Sequence, residues 1–302
     1  MKSISYYLTH PSKILIGLLT RVSFLFPDKM YLKMKYRLTM GKKLNLKNPR
    51  TFTEKLQWLK LYNRKPEYTV MVDKCAVKKN VADKIGEEYI IPTLGVWNSP
   101  DEIDFEKLPN QFVIKCNHNS GLGMCICKDK AKLDFEKVKR ELQKGLKQDY
   151  YLTGREWPYK NVPRKIIAEK FLTDPTSKSS DLPDYKFYCF DGEVKVVLIA
   201  TNRFTTHNFN YVDVDYNPIS LISTEGEPNK ELGNKPECWD KMLKIARILS
   251  KDIIHVRVDL YTSCGKIYFG ELTFFDSSGY DDFGSEEWNE RLGSWIKIIK
   301  VE

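Results

Sequence analysis

HVRVDLYTSCGKIYFGELTFFDSSGYDDF, residues 255–283, decides how this chain folds. Val256 and Val258 alternate with Arg257 and Asp259, and after Ser263-Cys264-Gly265 a second run, KIYFGELTF, returns. Period-two alternation on both sides of a glycine-bearing turn predicts a β-hairpin. The pattern leaves an acid on each strand to explain. Asp259 and Glu271 lie twelve residues apart across the turn, so paired strands can bring both carboxylates to one side near one end. Two hard oxygen ligands on a rigid sheet are what Mg2+ takes when it also coordinates phosphates. An exposed sheet face carrying ordinary charges is the competing reading.

Outward from the hairpin, strands and helices mix without regular βαβ winding. QFVIKCNH (111–118) reads as a strand, N-S-G-L-G as a turn and MCICK (124–128) as a returning strand. KIIAEKFL (165–172) is another strand, and YKFYCFDGEVKVVLIA (185–200) a hairpin about Asp191-Gly192. TFTEKLQWLKLYNR (51–64) opens on T-x-x-x-K and sets Leu56, Trp58, Leu59 and Leu61 at helical spacing. DKCAVKKNVADKIG (73–86) is a second helix, stopped by Gly86; residues 133–148 and 236–251 are two more. YIIPTLGVW (89–97) is a short strand broken by Pro92, YYLTGREWPYKNVP (150–163) is irregular, and TDPTSKSSDLPD (173–184) is a polar loop. The sum is an α+β chain with antiparallel sheets.

With 302 residues, 42% hydrophobic and 29% charged, the composition is that of a globular protein able to bury a core. Its +9 charge is uneven. Residues 1–60 carry 13 Lys and Arg against Asp28 and Glu54, a net of +11, so the rest carries −2. ILIGLLTRVSFLF (14–26) lies within this segment, too short to span a bilayer and without a small-x-small cleavage site before Pro27. It reads either as an amphipathic helix suited to an anionic membrane face or as a docking helix with a solvated basic side. No helix-turn-helix, zinc or RNP pattern accompanies the charge, which argues against nucleic acid. The seven cysteines (75, 116, 125, 127, 189, 238, 264) are odd in number and lie in apolar stretches, as reduced residues of a cytoplasmic protein do. Cys125-x-Cys127 has the wrong spacing for a zinc knuckle.

A second constellation lies upstream. Lys115 ends the strand FVIK, and the CNHNSGLG turn after it offers small residues and backbone N–H groups, a pairing that holds polyphosphate. The G-x-x-x-x-G-K order of a P-loop is absent. Lys74 and Lys78, at i and i+4, share one helix face, where they repel unless an anion or solvent separates them. There is no G-x-S-x-G elbow, no H-E-x-x-H and no complete dinucleotide fingerprint. His118 reads as a loop residue and His255 as a flank of the sheet. Asp213-Val-Asp215 resembles the D-x-D of metal-dependent glycosyltransferases, although an exposed strand end accounts for it.

The order D-K-x-x-x-K, F-V-I-K with its glycine loop, A-E-K-F-L, R-x-D and E-x-T resembles the ATP-grasp superfamily, in which the D-alanine–D-alanine ligases are the easiest comparison. PRTFTEKLQWLKLY, D-K, DYKFYCFDG and FGELTF look more closely like the TupA-like ATP-grasp family of bacterial surface-polysaccharide loci, over about residues 48–285. The resemblance implies an ATP-grasp fold, two α+β subdomains clamping ATP behind a basic helical N-terminal segment, with divisions at 1–64, 65–174 and 175–302. It implies that Lys78 and Lys115 grip ATP phosphates and that Asn117 to Gly123, including Ser120 and Gly121, form the mobile loop over them. Glu169 would accept from the adenine amino group, with Lys170, Phe171 and Leu172 lining the base. Asp184 is the acid nearest the ribose position, and Lys186 follows it. Arg257 would neutralise the transferring phosphoryl group, and Asp259 and Glu271 would hold Mg2+. The superfamily's third ligand is an Asn in E-x-N; here Thr273 stands in its place, a weaker donor that can reach the metal directly or through water.

These residues suit phosphoryl transfer, which needs cations and metal ligands more than a nucleophile. The expected activity is an ATP-dependent carboxylate–amine ligase working through an acyl phosphate on a small or lipid-linked saccharide of surface-polysaccharide assembly, joining an amino acid to a uronic acid. The protein would be cytoplasmic, peripheral on the inner membrane face through residues 1–60, with ATP and Mg2+ as cofactors. A glycosyltransferase using Asp213 and Asp215, and a non-catalytic ATP-grasp relic that binds a partner, are the alternatives. Acceptor contacts are expected in 145–165 and 202–235.

Overall fold

The computed structural model describes residues 11–174, 182–201, 208–221, 227–228 and 232–298. Residues 1–10 of the basic segment, most of the 173–184 loop and parts of 202–235 therefore lie outside the described residues. The chain begins with helices α1 (Pro11–Arg21), α2 (Asp28–Met40) and α3 (Phe52–Tyr62). Leu19, Tyr31, Leu32, Tyr36 and Leu44 form a small apolar cluster that joins the first two. The start of α3 is set by a capping box: the Thr51 hydroxyl accepts from the Glu54 N–H and the Glu54 carboxylate accepts from the Thr51 N–H. T-F-T-E is thus the start signal, rather than T-x-x-x-K.

Two short helices follow, α4 (Glu67–Val72) and α5 (Val77–Ile85). The expected helix over 73–86 begins only at Val77, because the Asp73 side chain accepts from the Cys75 N–H and holds a turn there. Lys74 and Lys78 consequently do not share a helix face. Gly86 ends α5, as expected.

The strands described form two sheets. β1 (Thr93–Trp97), β2 (Phe112–Cys116), β3 (Met124–Cys127) and β4 (Ile166–Lys170) lie in the order β1-β4-β2-β3, every pair antiparallel. Pro92 precedes β1 instead of interrupting a strand, and residues 87–89 are a 3-10 turn. Helix α6 (Phe135–Lys147) covers this sheet with Val138 and Leu142, in one cluster with Phe112, Ile114, Ile166 and Ala168. The aromatic stretch after it contains a short helix, α7 (Tyr150–Gly154).

The larger sheet has β5 (Asp184–Phe190), β6 (Glu193–Thr201), β7 (Asn208–Val212), β8 (Glu227–Pro228), β9 (His255–Ser263) and β10 (Lys266–Thr273), ordered β10-β9-β5-β6-β7-β8. Both expected hairpins form. Their two-residue turns, Asp191-Gly192 and Cys264-Gly265, have positive φ throughout, which matches the twist of the strands they join. Helix α8 (Trp239–Ser250) packs Trp239, Met242 and Leu249 against one face, and α9 (Glu286–Trp295) packs against α3. Phe52, Leu56, Val77 and Val81 join the core of the large sheet, so the apolar clusters do not follow chain divisions at 64 and 174.

His255 belongs to that core rather than to a flank. Its ring lies between Phe52 and Phe190, with Nδ1 2.9 Å from the Cys189 carbonyl. Burial pushes its pKa from 6.5 down to about 4. As pH falls from 6.5 to 4 the unfolded chain takes up a proton that the folded chain refuses, so stability falls by up to ~3 kcal/mol. Urea unfolding at pH 7 and pH 5 should show a smaller loss in His255→Phe than in the parent. Equal losses in the two proteins would refute the assignment.

Candidate active site

Three neighbouring strands at one end of the large sheet carry the acids into register. Lys186 of β5 faces Asp259 of β9, and Asp259 faces Glu271 of β10; one row along, Tyr188, Arg257 and Thr273 face one another. The meeting of the two acids depends on a bulge. From Lys266↔Ser263 to Phe269↔Leu260 the ladder is regular, and its continuation would set Gly270 against Asp259 and turn Glu271 to the other face. The register slips after Phe269, and Glu271 becomes the partner of Asp259. A Cβ on Gly270 would stand 2.8 Å from the Tyr261 ring and 3.0 Å from the Asp259 carbonyl oxygen, so the slip requires glycine.

Asp259 is 1% exposed and fully engaged. Its Oδ1 accepts from Arg257 Nε at 2.7 Å, and its Oδ2 from Arg257 Nη2 at 2.8 Å and Lys186 Nζ at 2.9 Å. Lys186 also reaches Asp184 at 2.7 Å. Burial opposes the charge on Asp259, but Arg257 and then Lys186 outweigh it and hold the carboxyl below its usual range. Arg257 Nη1 pairs with Asp276, which the Tyr188 hydroxyl also meets. Glu271 differs. Its side chain is 42% exposed, 3.7 Å from Arg257 Nη2, and Oε1 accepts from the Thr273 hydroxyl at 3.3 Å. It is the acid with room for a new partner.

The donor set fits a hard cation: two opposed carboxylates with a hydroxyl beside one of them. Among the described residues no group of three or more His, Cys, Asp or Glu is arranged to hold a metal. A magnesium ion here would rest on Asp259 and Glu271, with Thr273, water and phosphate oxygens filling the remaining positions, as suits an ion that sheds its water reluctantly.

The lysines gather on the facing side. Lys78 of α5 and Lys115 of β2 close on the two oxygens of Glu169 in β4, at 2.5 and 2.6 Å. Lys78 also donates to the Ile91 carbonyl, and Lys74 to the Asn119 carbonyl at 2.7 Å. Burial opposes charge on Glu169, but Lys115 and Lys78 win and keep its pKa low. Burial lowers the pKa of Lys74, with Glu271 the strongest pull in the other direction. The three lysines and Glu169 line one small cavity, about 10 Å3, whose far wall is Phe269 and Gly270. The bulge that aims Glu271 therefore also closes the lysine cavity. Three ammonium groups against one carboxylate leave it positive.

Other expected residues take different places. Asn117 is wholly buried: Nδ2 donates to Asp73 and to the Pro163 carbonyl, and Oδ1 accepts from the Lys165 N–H. It fastens the loop instead of moving with it. Gly123 is buried too, where a Cβ would come within 2.9 Å of Gly145 in α6. The exposed part of the loop is its tip, Ser120 to Leu122. Lys170 is exposed, and Phe171 and Leu172 are half-buried just beyond β4. His118 is buried with Nε2 3.1 Å from the Gln148 carbonyl. Asp213 is consumed by a turn, its Oδ1 accepting from the N–H groups of Asp215 and Asn217, so Asp213-Val-Asp215 is a strand end. The cysteines are free.

Sequence reasoning passed over Asp276 and Lys60, and left Lys74 without a role. Asp276 anchors Arg257. Lys60, buried in α3, donates to the carbonyls of Gly154 and Ser278 and so holds the loop after Asp276, in which Ser277 and Ser278 both have positive φ. Burial brings the Lys60 pKa down to about 7. Only the acid at 276, so soon after Glu271, was visible as a signal.

A family model described as TupA-like ATPgrasp matches residues 54–297. No curated protein matches the chain. Among solved structures, the D-alanine–D-alanine ligase of Bacillus anthracis complexed with ATP is similar at 16% identity and a TM-score of 0.41, over 75% of this chain and 63% of that one. The ATP-grasp ligase PsnB, complexed with a phosphomimetic variant of its minimal precursor, Mg and ADP, shares 11% identity at a TM-score of 0.44, over 92% and 74%. D-cycloserine synthetase DcsG shares 13% at 0.39, over 76% and 71%. The chain thus spans less than two thirds of the length of the first of these.

Proposed function

The chain belongs to the TupA-like ATP-grasp family, and from that premise we propose that it is an ATP-dependent carboxylate–amine ligase. Its substrates would be a uronic acid of a surface-polysaccharide precursor and an amino acid. The observation that carries the reading is the meeting of the lysine cavity and the acid row at one bulge of β10. Cations for phosphate stand on one side of Gly270 and carboxylates for a metal on the other.

Lys74, Lys78 and Lys115 would bind phosphate oxygens, which would replace the Glu169 carboxylate as their partner. Bound Mg2+ supplies charge neutralisation across the phosphates. Arg257, held by Asp259 and Asp276, keeps a fixed guanidinium beside Glu271 and needs no reorganisation as charge develops. The substrate carboxylate attacks the γ-phosphorus, ADP leaves, and the amine then displaces phosphate from the acyl phosphate to form the amide. Glu169 and Lys170 to Leu172 would border the base, Asp184 and Lys186 the ribose, and the Ser120–Gly121 tip the phosphates. At about 10 Å3 the cavity is far smaller than the ~300–1,000 Å3 of ligand sites, so nucleotide entry would require the structure to open where Ile90, just before β1, bridges Phe269 of β10.

The test is incubation with Mg-ATP and pooled uronic acids and amino acids. ADP release that needs both pools is expected, together with thermal stabilisation by ATP. Lys115→Ala should weaken ATP binding about tenfold, the loss of one charge-assisted contact. AMP release would replace the acyl phosphate with adenylation, and ATP binding unchanged in Lys115→Ala would remove the lysine cavity from the site.

A further inference from the structure

Large apolar side chains scattered singly on a surface need no explanation. Here they are concentrated: of the fourteen that are exposed among the described residues, seven are Ile14, Leu15, Leu18, Val22, Phe24, Leu25 and Met30. In α1, Ile14, Leu15 and Leu18 fall on one helical face, which Val22 continues just past the helix end, whereas Leu19 is buried on another against α2. The helix therefore has a second apolar stripe that the described residues leave exposed. The turn after α1 extends it, with Phe24 67% and Leu25 64% exposed. Among the described residues no helix is long and apolar enough to cross a membrane.

The charges around the stripe have one sign. Lys13, Arg21, Lys29 and Lys33 are all exposed. The only acid between residues 12 and 33, Asp28, is taken by Arg64 at 2.7 Å and Arg155 at 3.0 Å. Lys29 and Lys33 also line a cleft of about 1210 Å3, with Lys47, Lys55, Trp58 and Tyr62. A second copy would have to meet this unbalanced cationic rim with acids, and residues 61–302 as a whole carry only −2.

We infer that the face built by α1, the 23–25 turn and the start of α2 docks on an anionic lipid bilayer. Phe24, Leu25 and the outer stripe of α1 enter the acyl boundary, while Arg21, Lys29 and Lys33 take headgroup phosphates. The inference is independent of the ligase reading, since none of these residues belongs to the candidate active site.

Sedimentation of the full chain with vesicles tests it. Binding is expected to mixed phosphatidylglycerol–phosphatidylcholine vesicles, to weaken as salt is raised, and to be lost on pure phosphatidylcholine. The double variant Phe24→Asp, Leu25→Asp should bind about tenfold or more weakly, with its thermal melt and ATP turnover unchanged. Hydrogen exchange on the unaltered chain should show vesicle-dependent protection centred on residues 13–33. Absence of binding, binding unaffected by the double variant, or protection elsewhere would overturn the inference. So would a dimer in solution that the double variant dissociates, because the face would then belong to a second copy.

Discussion

Glu271→Gln is expected to lower ATP turnover by roughly 10²–10³-fold while leaving the stability of the protein within about 0.5 kcal/mol of the parent. The two halves of this result have separate causes. The substitution keeps the shape of the side chain and removes only its charge. In the folded protein that charge does little: the side chain is 42% exposed and its nearest cation stands 3.7 Å away. Opposite Asp259, however, it is the one acid of the row able to accept a cation without surrendering a close ion pair. Loss of its charge would weaken the clamp on the phosphates where charge develops. Asp259→Asn provides the contrast, because Asp259 is enclosed and bonded to Arg257 and Lys186, so stability and turnover should fall together. Coupled turnover and urea unfolding on the same preparations separate the two. Turnover by Glu271→Gln equal to that of the parent would remove β10 from the site.

The hairpin itself was legible because it rests on local rules, alternation and a glycine turn. The meeting of its acids was not fully so. Counted straight from Cys264-Gly265, Asp259 opposes Gly270 and Glu271 points away, and only the slip at Gly270 brings the carboxylates to one face. A glycine inside a strand pattern is the signal for such a bulge, but its direction is decided by Tyr261 and by the Asp259 backbone packed against it. Glu169 is a different case. It meets Lys78 and Lys115 because β4 lies between β1 and β2, a long-range arrangement that no local spacing encodes. Lys74 was misjudged because helix propensity ran on through 73–76, where the Asp73 side chain had already claimed the backbone. Asn117 looked like part of a glycine loop, yet its amide is spent joining three segments of chain. In each instance periodic backbone structure could be read from the sequence, whereas polar side chains committed to distant partners could not.

Arg257→Met should cost ~3–5 kcal/mol of stability at neutral pH, a large share of the ~5–15 kcal/mol by which native proteins are stable. The loss is not that of one attractive contact. Arg257 is buried and holds two buried carboxylates, Asp259 and Asp276. Methionine fills much of the volume, so the packing term is small. Asp259 keeps Lys186, but Asp276 is left with the Tyr188 hydroxyl as its remaining partner, an ionised carboxylate in the core without a cation. Removing that charge should therefore relieve the loss: Asp276→Asn, destabilising in the parent, recovers part of it when added to Arg257→Met. Urea unfolding of the four proteins at pH 7 reads the effect. A penalty additive with Asp276→Asn would mean that Arg257 contributes packing rather than charge, and its place beside Glu271 would then owe nothing to the buried acids.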